Sequence, residues 1–280
     1  RHFWPMSGMP APNHPGELYP ALAALYPQAV EGKDYLTWLR HYCHTAPGTY
    51  KERVVGLRPE IWQLRQHLEQ FMVRRRREEV LPDLPDLTTS VWHIEDDKAL
   101  AAVRKAMKAM PEGERDEQLL ALLGDDTVDE YLLETIDETA MSTLRRLCGE
   151  AKAHLLVDLL AEELDHGQDK VVLMCWHRST MDILQAGLER FGVARIDGHT
   201  KNRQAEVDRF QDTQYPTSCR VFIGQILAAG TGHTLTAAHN MVIVEPSWVP
   251  GENFQAMLRI NRIGQLYPCL VRFACLAGSL

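Results

Sequence analysis

From residue 170 onward, short apolar runs alternate with amphipathic stretches. "KVVLMCW" (170–176), "VARIDG" (193–198), "RVFIG" (220–224), "NMVIVEP" (240–246) and "CLVRFACLA" (269–277) read as strands. Between them, "TMDILQAGLERFG" (180–192) repeats its apolar residues at helical spacing and closes on Gly192. "KNRQAEVDRFQ" (201–211) predicts another helix, with Thr200 expected as its N-cap. "QILAAGTGHTLTAA" (225–238) reads as a loop with a helix. Strands alternating with helices predict an α/β fold with a parallel, doubly wound sheet. In such sheets ligands bind beyond the carboxyl ends of the strands. There fall "WHRST", "DGHT", "GQILAAGTG" and "EPSWVP".

Residues 33–80 read as helical with interruptions. Residues 1–30 read as a strand end, a turn rich in Pro and Gly, then a helix. "RPEIWQLRQHLEQFMVRRR" (58–76) has Pro59 at a favourable first helical position. "LPDLPDLTTSVWHI" (81–94) reads as an extended linker, since each Pro pushes its predecessor out of the helical region. "DDKALAAVRKAMKAM" (96–110) and the stretch from Val128 to Leu164 predict long amphipathic helices.

Charge changes the picture only once it is divided. The net of −8 over 280 residues argues against a phosphate partner. Yet residues 95–138 hold 14 acidic against 5 basic side chains, and the remainder is slightly positive. Residues 51–80, with the run Arg74–Arg77, are basic. One acidic segment masks a chain able to face phosphates. Six scattered cysteines without a CxxC pair favour a reducing, intracellular setting, cytoplasmic, nucleoid or nuclear. His41, Cys43 and His44 lack a second ligand pair at finger spacing, so no metal site is expected. No apolar run suggests a membrane span, and "RHFWPMSG" lacks a signal-peptide layout. Opening without Met, the chain reads as a piece of something longer.

The candidate chemistry lies in the strand-end segments. In "QAMLRINRIGQ" (255–265) a helix would put Gln255, Arg259 and Arg262 on one face. Two guanidinium forks on one rigid turn suit phosphate oxygens. Gly230 and Gly232 would let a turn bring backbone N–H groups close to a phosphate. Arg178, Ser179, Gly198, His199 and Thr200 offer polar groups at strand ends, and Trp248 an aromatic face for stacking. No GxxxxGK[ST] occurs in these residues, and no GxGxxG follows a first strand, which argues against a Rossmann-type dinucleotide binder.

The series "SGMPAPN", "FMVRRRREEVLPDLPDLT", "KVVLMCWHRSTMDIL", "RIDGHTKNRQAEVDRFQ", "GQILAAGTGHTLTAAHNMVIVEPSWVP" and "QAMLRINRIGQ", in that order, resembles the second half of a SWI/SNF-type superfamily 2 ATPase. Within that family it is most similar to the compact, annealing-helicase-like branch. The resemblance implies two RecA-like lobes, with ATP and Mg²⁺ bound between them, mainly by the lobe absent here, and duplex DNA running across both without sequence preference. It divides the chain into the tail of the first lobe (1–30), a helical protrusion and linker (31–150) and the second RecA-like lobe (151–280). It makes Arg259 and Arg262 the arginines that reach the nucleotide's phosphates, supported by Gln255, with Gly230 and Gly232 in the loop coupling DNA to ATP. Arg178, Ser179, Gly198, His199, Thr200 and Trp248 match segments that follow DNA. The expected activity is that of a DNA-dependent ATPase and duplex translocase; the alternative is a strand-separating helicase of the same superfamily. The chain departs from the family pattern at Met9, Leu258 and Asn261.

Overall fold

A computed structural model describes residues 5–48, 52–110, 138–212, 219–230 and 232–279. The chain divides into two compact units: residues 1–83 with 249–251, and residues 84–248 with 252–280.

The first unit holds helices α1 (Tyr19–Leu25), α2 (Tyr35–Tyr42), α3 (Ile61–Glu69) and the single turn α4 (Arg77–Val80). It also contains an antiparallel strand pair, β1 (Cys43–Ala46) and β2 (Arg53–Leu57). The region expected to be helical is therefore mixed. Asp34 caps α2, accepting from the backbone of Leu36 and Thr37. Trp38, Leu39, Tyr42 and Leu64 close a small core, with the Trp38 indole donating to the Ala29 carbonyl at 3.3 Å.

The second unit is built on six strands: β3 (Leu87–Ile94), β4 (Val171–Cys175), β5 (Val193–Ile196), β6 (Val221–Gln225), β7 (Asn240–Ile243) and β8 (Cys269–Leu276). They lie in the order β3-β8-β7-β4-β6-β5, every pair parallel. Its helices are α5 (Asp97–Lys108), α6 (Glu138–Asp165), α7 (Arg178–Leu188), α8 (Arg203–Gln211), α9 (Ile226–Ala229) and α10 (Pro250–Met257). This is the expected RecA-like α/β sheet. Alternate residues of β4 explain its continuous apolarity. Val172 and Met174 face Val207 and Phe210 of α8, while Val171, Leu173 and Cys175 face Leu156, Leu160 and Leu164 of α6 and Leu184 of α7. Buried Lys170, just before β4, donates to the carbonyls of Phe210, Asp212 and Cys219, tying the tail of α8 and the approach to β6 to the sheet.

Three expectations change. Residues 87–94 are no linker but an edge strand paired along its length with β8, within the compact unit that begins at Leu84. An exposed edge strand carries few buried residues, which is why its sequence reads as a linker. The cap of α8 is Asn202, whose side chain accepts from Ala205 N at 3.1 Å, whereas Thr200 belongs to the preceding turn. The arginine segment is not one helix: α10 ends at Met257, and Arg259 and Arg262 stand on the turns beyond it. The strand end at the first residues, most of the acidic segment and the start of the helix read from Val128 lie outside the described residues. No helix among the described residues is long and apolar enough to cross a membrane.

Candidate nucleotide and nucleic-acid site

Because all six strands run the same way, the segments following β4, β5, β6 and β7 emerge along one rim of the sheet. Gln225, the last residue of β6, fastens two of them: its carbonyl oxygen accepts from Gly198 N at 3.2 Å and its amide donates to the Trp176 carbonyl at 3.0 Å. Glu245, beyond β7, fastens a third. Its carboxylate is 1% exposed and accepts from the backbone N–H groups of Trp176 (3.0 Å) and His177 (2.9 Å), with His177 Nδ1 2.7 Å away. His177 is the N-cap of α7 and makes no side-chain cap bond, so this carboxylate serves the free donors and positive dipole end of that helix. Gly149 of α6 is the reason the carboxylate fits. A Cβ there would sit 2.2 Å from Glu245 Oε1.

Arg178 opens α7 with its guanidinium half exposed, Nε 3.3 Å from Asp197 Oδ2. Ser179 points inward, its hydroxyl enclosed without a hydrogen-bond partner among the described residues. Asp197 organises the turn after β5. It accepts from His199 N at 2.8 Å, and its own N–H donates to Thr200 Oγ1 at 3.0 Å. Gly198 and His199 are exposed there. Burial alone would raise the Asp197 pKa, but the His199 N–H and the Arg195 and Arg178 guanidiniums outweigh it and hold the carboxyl below 3.8. A depressed folded pKa contributes stability that is complete above the ordinary value and is lost as pH falls through the lower, folded one. Acid titration of folding, Asp197→Asn against the parent, should therefore show the parent losing its advantage below about pH 4. Equal acid limbs would refute the assignment.

The arginines gather on the far side of the rim. Arg259 Nη1 lies 3.3 Å and Arg262 Nη1 3.4 Å from the same acceptor, the carbonyl of His233. Arg259 Nε also donates to the backbone carbonyl of Gln255 at 2.9 Å. Arg203, at the start of α8, reaches the Ala228 carbonyl at 3.3 Å. Among the described residues none of these three guanidiniums has a carboxylate partner. Burial, then the neighbouring Arg262, lowers the Arg259 pKa, and burial with Arg203 and Arg259 lowers that of His233. His233 therefore adds no charge at neutral pH, while guanidiniums remain cationic. The loop they hold leaves α9 at Gly230 and turns at Gly232, whose φ of +81° suits glycine.

Gln265 holds the turn itself. Only 6% exposed, it donates to the carbonyls of Thr236, Ala238 and Ile260 and accepts from the backbone of Leu266 and Tyr267. Trp248 stands on the connection after β7 with 65% of its surface exposed. The fold thus brings Arg259, Arg262, Gly230 and Gly232 together, and Arg178, Gly198, His199 and Thr200 together. Sequence reading passed over Gln225, Glu245, Gln265 and Arg203. For Gln225 and Glu245 the signal was a polar residue ending an apolar strand.

Residues 151–264 match the helicase conserved C-terminal domain family. The chain is 30% identical over 284 residues to the Drosophila melanogaster SWI/SNF-related matrix-associated actin-dependent regulator of chromatin subfamily A-like protein 1, covering 96% of this chain and 33% of that protein. The Xenopus laevis protein of the same description is 27% identical over 281 residues, covering 98% of this chain and 27% of its own length. A DNA repair and recombination protein RAD54-like from Drosophila persimilis is 35% identical over 133 residues, 46% of this chain and 17% of that one. The chain thus spans about a third or less of the curated relatives it matches. A crystal structure of the C-terminal part of the Fun30 ATPase domain superposes with a TM-score of 0.49 at 19% identity, over 70% of this chain and 87% of that one.

Proposed function

Since this chain belongs to the SWI/SNF-type superfamily 2 helicase-like proteins and carries their C-terminal RecA-like lobe, we propose that it is the second lobe of an ATP-dependent translocase on double-stranded DNA. The observation that carries this reading is the convergence of Arg259 and Arg262, free of carboxylates among the described residues, on the carbonyl of His233, next in sequence to Gly232. Such a donor set fits the phosphate oxygens of ATP, with the His233 carbonyl standing where an anionic oxygen would compete for the same forks. Among the described residues no three His, Cys, Asp or Glu side chains gather as metal ligands. In this reading the Mg²⁺ that accompanies ATP is held mainly by a first, P-loop-bearing lobe. Arginines on a lobe separate from the P-loop make hydrolysis depend on closure, and opening after hydrolysis lets the pair step along a duplex. The rim residues Arg178, Gly198, His199, Thr200 and Trp248 supply the contacts to the DNA backbone and its groove. Relatives named for chromatin and for DNA repair support a nuclear setting.

Two measurements test this. These 280 residues, which contain no GxxxxGK[ST], should not hydrolyse ATP with or without DNA; turnover insensitive to Arg259→Ala would refute the two-lobe reading. The same chain should bind unrelated duplexes alike, its logarithmic affinity falling with logarithmic salt at a slope of about −0.9 per phosphate neutralised. A marked sequence preference, or affinity indifferent to salt, would refute the rim assignment.

A further inference from the structure

Arg145, on α6, lies 101 residues before Pro246, whose carbonyl accepts from its guanidinium. The same guanidinium carbon is 4.2 Å from the centre of the Trp176 ring and 5.7 Å from that of Trp248. One planar cation therefore joins the segment after β4 to the segment after β7, through a ring on each and a backbone oxygen on the second. An indole as exposed as Trp248 has little packing of its own to select one rotamer. The Arg145 guanidinium lies within cation–π range of it and, more closely, of Trp176. Half-burial draws the Arg145 pKa down while the Glu245 and Glu252 carboxylates pull it up. A guanidinium stays charged under those conditions.

We propose that Arg145 is a positioning residue for Trp248, holding the indole at the rim in the orientation in which it meets DNA. The inference rests on the reading of the rim as a DNA-contacting surface. A lysine would not substitute, because an ammonium cannot lie flat on a ring and direct a fork at the Pro246 carbonyl at once.

The test has two arms. The chain contains six tryptophans. In protein labelled with 5-fluorotryptophan, with resonances assigned by single Trp→Phe variants, Arg145→Ala and Arg145→Lys should both shift the Trp248 and Trp176 signals and sharpen that of Trp248. Trp38 and Trp62, in the other unit, should not move. In the second arm, duplex affinity is compared for Arg145→Ala, Trp248→Ala and the double variant. Each single change should weaken binding by about tenfold, and the double should be no weaker than Trp248→Ala alone. An unmoved Trp248 signal in folded Arg145→Ala would overturn the proposal. So would restoration of both signals by lysine, or additive losses, which would mean Arg145 meets phosphate on its own account. If Arg145→Ala does not fold, Arg145→Lys carries both comparisons. If the fluorine signals move but Trp248→Ala leaves affinity unchanged, the DNA reading of the rim falls and the positioning of Trp248 stands.

Discussion

Replacing Arg259 or Arg262 with alanine, in an enzyme where this lobe faces a P-loop lobe, should each cut ATP turnover by about a hundredfold or more. Charge builds on the transferred phosphoryl group, and each guanidinium removed takes away a fixed fork of donors that water replaces only with reorganisation. Lysine at either position should fail as well, because a point charge does not reproduce that fork. Affinity for duplex without nucleotide should stay close to the parent's, since neither side chain belongs to the Asp197 turn or the Trp248 segment. Both residues offer the fold only long bonds to the His233 carbonyl and, for Arg259, one to Gln255. Melting should therefore change by a few degrees at most. Turnover that survives in both variants would reduce the pair to a solvated turn. Turnover lost only together with the fold would make them structural.

Gln265→Ala should be the most damaging single change to stability near the site. It removes the donor serving three carbonyls, those of Thr236, Ala238 and Ile260, and the acceptor serving two backbone N–H groups. Leu266 and Tyr267 are exposed, so water can serve their N–H groups, but the Ala238 and Ile260 carbonyls meet Gln265 in the interior. Leaving these unpaired costs about 2–4 kcal/mol. For a unit of this size that corresponds to a melting temperature lower by about 5–15 °C. Gln265→Glu should be no better, because it keeps the acceptor and turns a carboxylate toward carbonyl oxygens. A shift within experimental scatter for both variants would show that water replaces the side chain.

The buried strands were legible because both of their faces are covered; β4 could be read from Val171–Cys175 alone. β3 was not, since four of its eight residues in a row are exposed and its partner comes from the far end of the chain. The two arginines were legible as a closely placed pair of guanidiniums from residue type and spacing. Their helix was not the right frame for them. Beyond Met257 the Arg259 carbonyl is taken by Leu235 N at 2.9 Å and the Ile260 carbonyl by Gln265, so tertiary acceptors and donors replace the helical ladder. Local spacing contains no record of those partners. The same limit hid Glu245, whose role exists only because Gly149 and the start of α7 come to it from elsewhere in the chain. Thr200 and Asn202 show it on a smaller scale. Both residue types cap helices, and the Asp197 turn decides between them by engaging Thr200 first.

The pairing of β3 with β8 also dictates a folding order. Among the described strands β3 has one neighbour, and that neighbour is the last of the six in sequence order. Until the residues up to Leu276 are available, Leu87–Ile94 have the N–H and C=O groups of both edges without a strand partner. Contacts this remote in sequence slow the final docking step and lengthen the time in which a foreign strand could pair instead. The chain guards that interval locally. Pro82, Asp83, Pro85 and Asp86 stand immediately ahead of β3, two prolines that block strand propagation and two charges that repel stacking. When β8 arrives, Cys269 N closes on the Asp86 carbonyl at 2.8 Å, so the guarded end becomes the point at which the register is set.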